Sequence, residues 1–321
     1  MENKELYDLI IVGSGCSGYA GAMYAGRMKM RTLLIGKIMG GTIITTDIVE
    51  NYPGFIRLTG QELADKLKEH ALDYKDMVTM VEDEAIRLER KKGCFKVHTE
   101  SGEVYSAKTI LYATGTKHRE LGIPGEHEYF AKGVHNCALC DGSFYRNKNI
   151  AVVGGSDSAA KEALLLTQWA KKVYIIYRGE EIHPEPVNMV KIEKKISEDK
   201  IEIINRTNIK EVKGDKFVRK VILDKPYNGS LEMQIDGVFV AIGLIPLSQL
   251  AEDVGIEVNK RGEIIINRNA ETNVPGFYAA GDVVDTRFKQ AITGVAEAVA
   301  AVYSAYMHIG DDNASFSCSD E

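Results

Sequence analysis

Cysteine is scarce in this chain, with five in 321 residues, which excludes the disulfide scaffold that small secreted domains rely on. An excess of base is missing too. Lysine and arginine total 40 against 46 aspartates and glutamates, a formal charge of −6, and this balance argues against a nucleic-acid partner or an anionic membrane surface, because both reward a basic face. No window holds the roughly 18 uninterrupted apolar residues of a membrane-spanning helix. The first residues, Met-Glu-Asn-Lys-Glu-Leu-Tyr-Asp, carry acids where a secretory signal would place its apolar run, so a cytoplasmic location is expected. The seven histidines show no metal-ligand spacing, and no second C-x-x-C completes a zinc site. No metal is expected.

Apolar residues make up 45% of the chain, enough for two cores of ordinary domain size, and one pattern occurs twice. Leu9-Ile-Ile-Val-Gly13-Ser-Gly15-Cys-Ser-Gly18, then an Ala/Met/Tyr-rich stretch and Arg31-Thr-Leu-Leu-Ile35, lies without gaps on Ile150-Ala-Val-Val-Gly154-Gly-Ser156-Asp-Ser-Ala159 and Lys172-Val-Tyr-Ile-Ile176. Each copy reads as a buried parallel strand, a glycine turn, an amphipathic helix and a second buried strand, the nucleotide-binding unit of a Rossmann fold. In the first copy Gly13, Gly15 and Gly18 fill all three fingerprint positions, for the tight turn, close approach to pyrophosphate and helix–strand packing. In the second, Ser156 takes the middle position and puts a Cβ where the pyrophosphate belongs.

Glycine- and proline-punctuated loops follow the first unit at Gly40-Gly41-Thr42-Ile-Ile-Thr-Thr46 and Val49-Glu-Asn51-Tyr-Pro-Gly54, then a helix from Thr59 to Tyr74 with Leu63, Leu67 and Ala71 on its apolar side. Strands are expected at Cys94 to Thr99, Glu103 to Ser106 and Thr109 to Tyr112, the last ending in Ala113-Thr114-Gly115. After the second unit, strands are expected at Ile201 to Ile204 and Gly237 to Ala241. Beyond Gly243 come Glu263-Ile-Ile-Ile-Asn267, then Gly276-Phe-Tyr-Ala-Ala-Gly281-Asp282, a helix from Gln290 to His308, and a polar stretch from Gly310 to Glu321 that reads as mobile. The return to strand-Gly-Asp-helix chemistry implies an α/β fold of two Rossmann-like domains of the three-layer ββα type, the second inserted into the first. Residues 1–115 and 244–321 form the discontinuous cofactor domain and 116–243 the inserted one.

Between the copies lies Cys137-Ala-Leu-Cys140-Asp141-Gly142, the one cysteine pair close in sequence. A dithiol beside two nucleotide-type units points to electron transfer from a bound cofactor to a disulfide. The thiolate is the reactive species, and a C-x-x-C that opens a helix suits exchange through a mixed disulfide.

Taken in order, the Gly13 to Gly18 turn, Gly40-Gly41, Val49 to Gly54, Ala113-Thr-Gly115, Cys137 to Tyr145, Gly237 to Gly243 and Ala280-Gly-Asp282 with Lys289-Gln-Ala291 resemble the low-molecular-weight thioredoxin reductases over nearly the whole chain. The resemblance implies FAD held by Gly13, Ser14, Gly15, Cys16, Ser17 and Gly18, by Gly36, Lys37, Gly40, Gly41, Thr42, Thr46 and Asn51, by Ala113, Thr114 and Gly115, and by Gly281, Asp282, Lys289, Gln290 and Ala291. Asp282 would take a ribityl hydroxyl, and the helix beginning near Gln290 would aim its N-terminal dipole at the flavin. Cys140 would face the flavin, Cys137 would exchange with the thioredoxin disulfide, and Asp141 would give or take the proton. Thr42 stands where glutamine is common after Gly-Gly, which alters the local hydrogen bonding.

NADPH-using members of that family carry a His-Arg-Arg-x-x-x-Arg cluster, and the corresponding run here is Tyr177-Arg178-Gly179-Glu180-Glu181-Ile182-His183. One arginine remains and two carboxylates have entered, a loss and a gain that both oppose a 2′-phosphate. These departures are similar to the ferredoxin-dependent flavin thioredoxin reductases of anaerobic bacteria. The implied partners are thioredoxin and ferredoxin, with a homodimer as the assembly and FAD bridging one-electron and two-electron chemistry. Two basic clusters would meet an acidic ferredoxin, Arg87, Arg90, Lys91 and Lys92 or Lys191, Lys194 and Lys195; each also reads as an ordinary solvated face. Two alternatives stay open, an NADPH- or NADH-dependent thioredoxin reductase with a divergent nucleotide site, and a flavin-binding redox sensor that does not turn over. Cys16 reads as a small residue at a helix start, Cys94 as core, Cys318 as an incidental tail thiol and His135 as a loop residue.

Overall fold

The computed structural model describes residues 6–46, 49–310, 316 and 318. The chain divides into two compact units, Met1–Lys117 with Ile245–Glu321, and His118–Leu244. Both are Rossmann-like α/β units, in line with the fold class expected from the repeat.

In the first unit, Leu6–Val12 lies between Thr32–Ile35 and Val104–Tyr112, all parallel, with Leu9 opposite Thr32 and Ile10 opposite Ile110. Val78–Val81 extends the parallel sheet at one edge, and Cys94–Thr99 and Ala85–Lys91 continue it antiparallel at the other. On its edge away from Leu6–Val12, the nine-residue strand Val104–Tyr112 serves two neighbours: its first half pairs with Cys94–Thr99 and its last three residues with Phe277–Ala279. Period-two alternation distributes the central strand between two cores. Leu9 and Ile11 join Ala22, Ala298, Ala301 and Val302 on the helical face, whereas Ile10 and Val12 join Phe95, Val97, Tyr112 and Phe277 on the other. The small residues on the helical side let Cys16–Arg27 and Ala291–Ile309 sit close to the sheet.

The second unit repeats the plan with a parallel sheet ordered Ile201–Ile204, Lys172–Ile176, Asn149–Val153, Gly237–Val240 and Val134–His135, and an antiparallel meander of Ile209–Gly214, Val218–Tyr227 and Ser230–Gln234. The helix Asp157–Leu166 covers one face through Ala159, Ala160, Ala163 and Leu166. Val212, Val221 and Met233 of the meander cover the other, against Ala151 and Val238.

Several elements differ from expectation. The helix expected over Thr59 to Tyr74 spans Gly60–Leu72, started by a capping box in which Thr59 and Glu62 satisfy each other's backbone N–H groups. The two strands expected before Ala113 are one, because Ala107 and Lys108 continue the ladder while the Lys108 ammonium pairs with Asp8 at 2.7 Å. The isoleucine run Glu263 to Asn267 is held by isolated bridges. Ile264 bridges Val258 on one side and Val284 on the other, and the Ile266 N–H turns to the Asp285 carboxylate, so its backbone bonds go to different partners. Cys94 is buried as expected, but it is disulfide-bonded to Cys318 across 224 residues, with a Cα separation of 5.6 Å, so Cys318 is not an incidental thiol. Most of the stretch from Gly310 to Glu321, read as mobile, lies outside the described residues. Among the described residues no helix is long and apolar enough to cross a membrane, and no group of His, Cys, Asp and Glu is placed to hold a metal ion.

Candidate functional site

The glycine turn of the first unit is tight because backbone meets backbone there. A Cβ on Gly13, whose φ is +115°, would lie 2.2 Å from the Ala113 carbonyl oxygen, and one on Gly18 would lie 1.9 Å from the Gly13 carbonyl oxygen. Ser14 closes the next segment over the turn: its hydroxyl donates to the Ile38 carbonyl at 2.9 Å and its own carbonyl accepts from the Gly40 N–H at 2.9 Å. Gly36 packs on the Ser14 side chain, and Gly41 comes so near Gly15 that a Cβ would sit 2.8 Å from its Cα. Cys16 is buried at the helix start, and burial above all pushes its thiol up to about 11, with Asp282 adding to the rise and its own backbone N–H opposing it. It stays protonated at neutral pH and makes a poor nucleophile.

The far end of the chain completes this cradle. A Cβ on Gly294 would meet the Ser17 hydroxyl at 2.5 Å and the Gly281 Cα at 2.9 Å, so the long helix enters against the first one only because glycines stand there. Lys289 donates to the Asp282 carbonyl at 2.9 Å and to the Val284 carbonyl, and pairs with Glu263 at 3.1 Å. The Asn51 amide donates to the Gln290 side-chain oxygen at 2.8 Å, joining two expected cofactor residues 239 positions apart. Ala291 opens the 19-residue helix. A residue the sequence reading missed, Glu297, accepts from the Gly281 N–H at 2.8 Å and from the Thr286 hydroxyl. Burial raises its pKa against the pull of those two donors. Its only sequence signal is a lone acid in an alanine-rich helix.

Other expected residues have structural partners. The Thr114 hydroxyl donates to the Leu247 carbonyl at 2.9 Å, and the Gly115 carbonyl accepts from the Leu247 N–H at 3.0 Å. The Lys37 ammonium lies between Glu84 and Glu100. Thr42 and Thr46 use their carbonyls within the loop, accepting from the Thr45 hydroxyl and the Gly60 N–H. A backbone cradle with no room for Cβ atoms, fronted by the N-terminus of a long helix, suits the pyrophosphate and flavin ends of FAD.

In the second unit Cys137 and Cys140 form a disulfide with a Cα separation of 5.4 Å. Cys137 caps the short helix Ala138–Asp141, and the Cys140 N–H donates to its sulfur at 3.2 Å. Gly142 lets the motif lie on Trp169, where a Cβ would come within 2.8 Å of the ring. Leu139 and Phe144 are exposed beside the disulfide. His135, read from sequence as a loop residue, instead ends the strand Val134–His135 and is buried. Its Nδ1 lies 3.0 Å from the Asp141 carboxylate, its Nε2 lies 2.7 Å from the Tyr145 hydroxyl, and its ring stacks on Phe239 with centroids 5.3 Å apart. Sequence alone left this residue unassigned because the strand that places it is only two residues long.

The second fingerprint turn is packed over by a later segment of the chain. Gly154 repeats the tight contact of Gly13, a Cβ there lying 2.4 Å from the Ala241 carbonyl oxygen. The Tyr177 ring then lies against Gly155 and Gly179, close enough that a Cβ on either would come within 2.5 Å. The His183 N–H donates to the Gly155 carbonyl at 2.8 Å, and its ring meets Tyr177 edge-on at 5.6 Å. Asp157, in the first turn of the helix, accepts from the Glu185 N–H, the Asn188 amide and the Lys161 ammonium at 2.6 to 2.8 Å. Burial pulls its pKa up, but Lys161, Asn188 and the Glu185 N–H outweigh it and hold the carboxyl at about 2. A lowered carboxyl pKa adds stability above the ordinary aspartate range that is lost as pH falls through the folded value. Asp157→Ala should therefore cost about 2 kcal/mol near neutrality. That cost should fade below pH 4 and vanish below about 2, as read by denaturant titration at several pH values. Glu180 pairs with Arg206 at 2.9 Å.

Two Rossmann-like units with a C-x-x-C disulfide on the second define a disulfide oxidoreductase of the flavoprotein type. The model of the pyridine nucleotide-disulphide oxidoreductase family matches residues 7–298. Over 303 residues the chain is 37% identical to a thioredoxin reductase of Mycolicibacterium smegmatis, covering 93% of this chain and 95% of that protein. Among solved structures, the thioredoxin reductase of Streptococcus pyogenes superposes with a TM-score of 0.79 at 33% identity, over 96% of this chain and 99% of that one. A ferredoxin-flavin thioredoxin reductase of Clostridium acetobutylicum superposes with a TM-score of 0.51 at 29% identity, over 95% and 98% of the two chains. The chain belongs to the pyridine nucleotide-disulphide oxidoreductase family, within its low-molecular-weight thioredoxin reductase branch, and is an FAD-dependent disulfide oxidoreductase.

Proposed function

We propose that this protein is a thioredoxin reductase that draws its electrons from reduced ferredoxin and not from a nicotinamide coenzyme. Two reduced ferredoxins, one thioredoxin disulfide and two protons would yield two oxidised ferredoxins and one thioredoxin dithiol. FAD supplies the junction between one-electron and two-electron chemistry, which no side chain provides. On this reading Cys137 attacks the thioredoxin disulfide, Cys140 resolves the mixed disulfide, and Asp141 handles the proton. The first-unit residues from Gly13 to Gly18, with Asn51, Asp282 and Lys289 to Ala291, hold the cofactor, and residues 116–243 act as the inserted redox domain. The cytoplasm and a homodimer belong to the same reading, with Tyr303, Tyr306 and Met307 exposed along the last helix as an apolar face for a second copy.

The observation that carries the donor assignment is the closed second fingerprint. A pyrophosphate needs open amides at a helix start, whereas here Tyr177 packs on Gly155, the His183 N–H takes the Gly155 carbonyl, and the ionised Asp157 occupies the first turn. Glu180, which already lies beyond the usual ribose-reading position, is engaged by Arg206. For docking an acidic ferredoxin, Arg90 and Lys92 on the exposed hairpin have Arg87 and Lys91 beside them, although the latter two already pair with Glu89. Anaerobic titration of the oxidised holoenzyme decides the matter. Reduced ferredoxin should bleach the flavin band and yield thioredoxin dithiol; NADPH or NADH at micromolar concentration should do neither. Bleaching by NADPH would establish the alternative, a nicotinamide-dependent reductase with a divergent site.

A further inference from the structure

We propose that His135 is a positioning residue for the dithiol, acting through Asp141: held from behind by Tyr145 and Phe239, its imidazole aims the Asp141 carboxylate and shares the proton that dithiol chemistry moves. The inference rests on the disulfide chemistry of the proposed function and on neither its donor nor its protein substrate.

The hydrogen-bond roles follow from what each group can do. An ionised carboxylate only accepts, so His135 Nδ1 carries the proton toward Asp141, and in the neutral ring Nε2 accepts from the Tyr145 hydroxyl. Burial raises the Tyr145 pKa, with the charges of Asp141 and Asp236 adding to the effect, so that hydroxyl remains a donor across the working range. Gly237 makes room for this arrangement, since a Cβ there would meet the Tyr145 ring at 2.4 Å. Beside the triad of His135, Asp141 and Tyr145 stand the Asp236 carboxylate and the Lys148 ammonium, the latter 5.7 Å from the Tyr145 ring centre. With both ring nitrogens engaged and one face on Phe239, the imidazole is fixed in tautomer and direction.

The chemistry gives this placement a use. Two electrons and two protons convert the Cys137–Cys140 bond into two thiols, and one thiol must lose its proton again before its sulfur can attack a substrate disulfide. Asp141 follows Cys140 directly, and its N–H donates to the Cys137 carbonyl at 3.2 Å. An imidazole nitrogen held 3.0 Å from the Asp141 carboxylate fixes where the carboxylate points while the proton moves between it and the thiols.

The test uses holoenzyme reduced by dithionite, so that neither ferredoxin nor thioredoxin enters, and measures the rate of Cys137 alkylation by iodoacetamide from pH 5 to 9, with mass spectrometry to locate the adduct. His135→Asn keeps an N–H toward Asp141 but has no second ring nitrogen to accept from Tyr145 and lock its direction. It should move the midpoint of the rate profile up by about one pH unit, close to a tenfold slower alkylation below the midpoint. Tyr145→Phe, which removes only the rear hydroxyl, should shift it the same way by less. Midpoints within about 0.2 unit of wild type in both variants would overturn the proposal. So would a uniform loss of rate with the midpoint unmoved, the sign of a purely structural role. If His135→Asn fails to fold, the Tyr145→Phe midpoint decides alone. Failure of the donor reading would leave these profiles unchanged, so the two ideas stand or fall separately.

Discussion

Replacing either Cys137 or Cys140 by serine is expected to lower thioredoxin reduction by at least about a thousandfold, and the double replacement should cost no more than either single one. The two sulfurs act as a unit. A serine hydroxyl forms neither the Cys137–Cys140 bond nor the mixed disulfide, so removing one partner removes the path and removing the second takes nothing further. Flavin content should be unchanged, because the cradle for FAD is built from the first unit and the dithiol stands on the second. Turnover with reduced ferredoxin and thioredoxin, compared with the visible spectrum of each purified variant, checks both halves of the expectation. Retention of turnover within tenfold of wild type in either single variant would remove the disulfide from the reaction. Loss of turnover with no biological consequence in cells would instead favour a flavin-binding sensor.

The second large effect concerns Gly18. Its Cβ would fall 1.9 Å from the Gly13 carbonyl oxygen, a backbone atom that cannot swing aside as a side-chain tip could. Gly18→Ala must therefore push the helix Cys16–Arg27 away from the turn, and overpacking of this kind typically costs about 1–3 kcal/mol, or about 5- to 150-fold in FAD affinity if it falls on the bound state. The variant should purify largely without flavin and melt below wild type, with added FAD raising its melting temperature by mass action. The second copy of the motif is the internal control, because Ala159 already stands at the matching position there and is accommodated beside Gly154. The reverse change, Ala159→Gly, is expected to leave the flavin spectrum unaltered. A fully yellow Gly18→Ala protein would show that the turn tolerates displacement.

Much of this was legible without coordinates. Four-residue runs rich in β-branched residues and leucine, Leu9-Ile-Ile-Val and Ile150-Ala-Val-Val, each followed by Gly-x-Gly or Gly-Gly-x and an alanine-rich stretch, permit little besides strand, turn and helix, so both units and their order could be read directly. The C-x-x-C was equally plain, since no other cysteines stand near each other. The failures have a common form. His135 looked like a loop residue because a two-residue strand has no periodicity to detect, and Cys318 looked like an incidental thiol because its partner Cys94 lies 224 residues away in sequence.

By itself, then, the sequence determined what is written in local pattern: the doubled nucleotide-binding unit, the dithiol, and the substitutions at Ser156 and along Tyr177 to His183 that set the second copy apart. Only the tertiary structure decided which groups meet. It joined Asn51 to Gln290, Cys94 to Cys318 and His135 to Asp141 and Tyr145, and it turned Tyr177 and His183 back over Gly155. The physical reason is that strand and helix periodicities are properties of neighbouring residues, whereas a hydrogen bond or a steric closure between distant segments depends on how the sheets bring chain ends together.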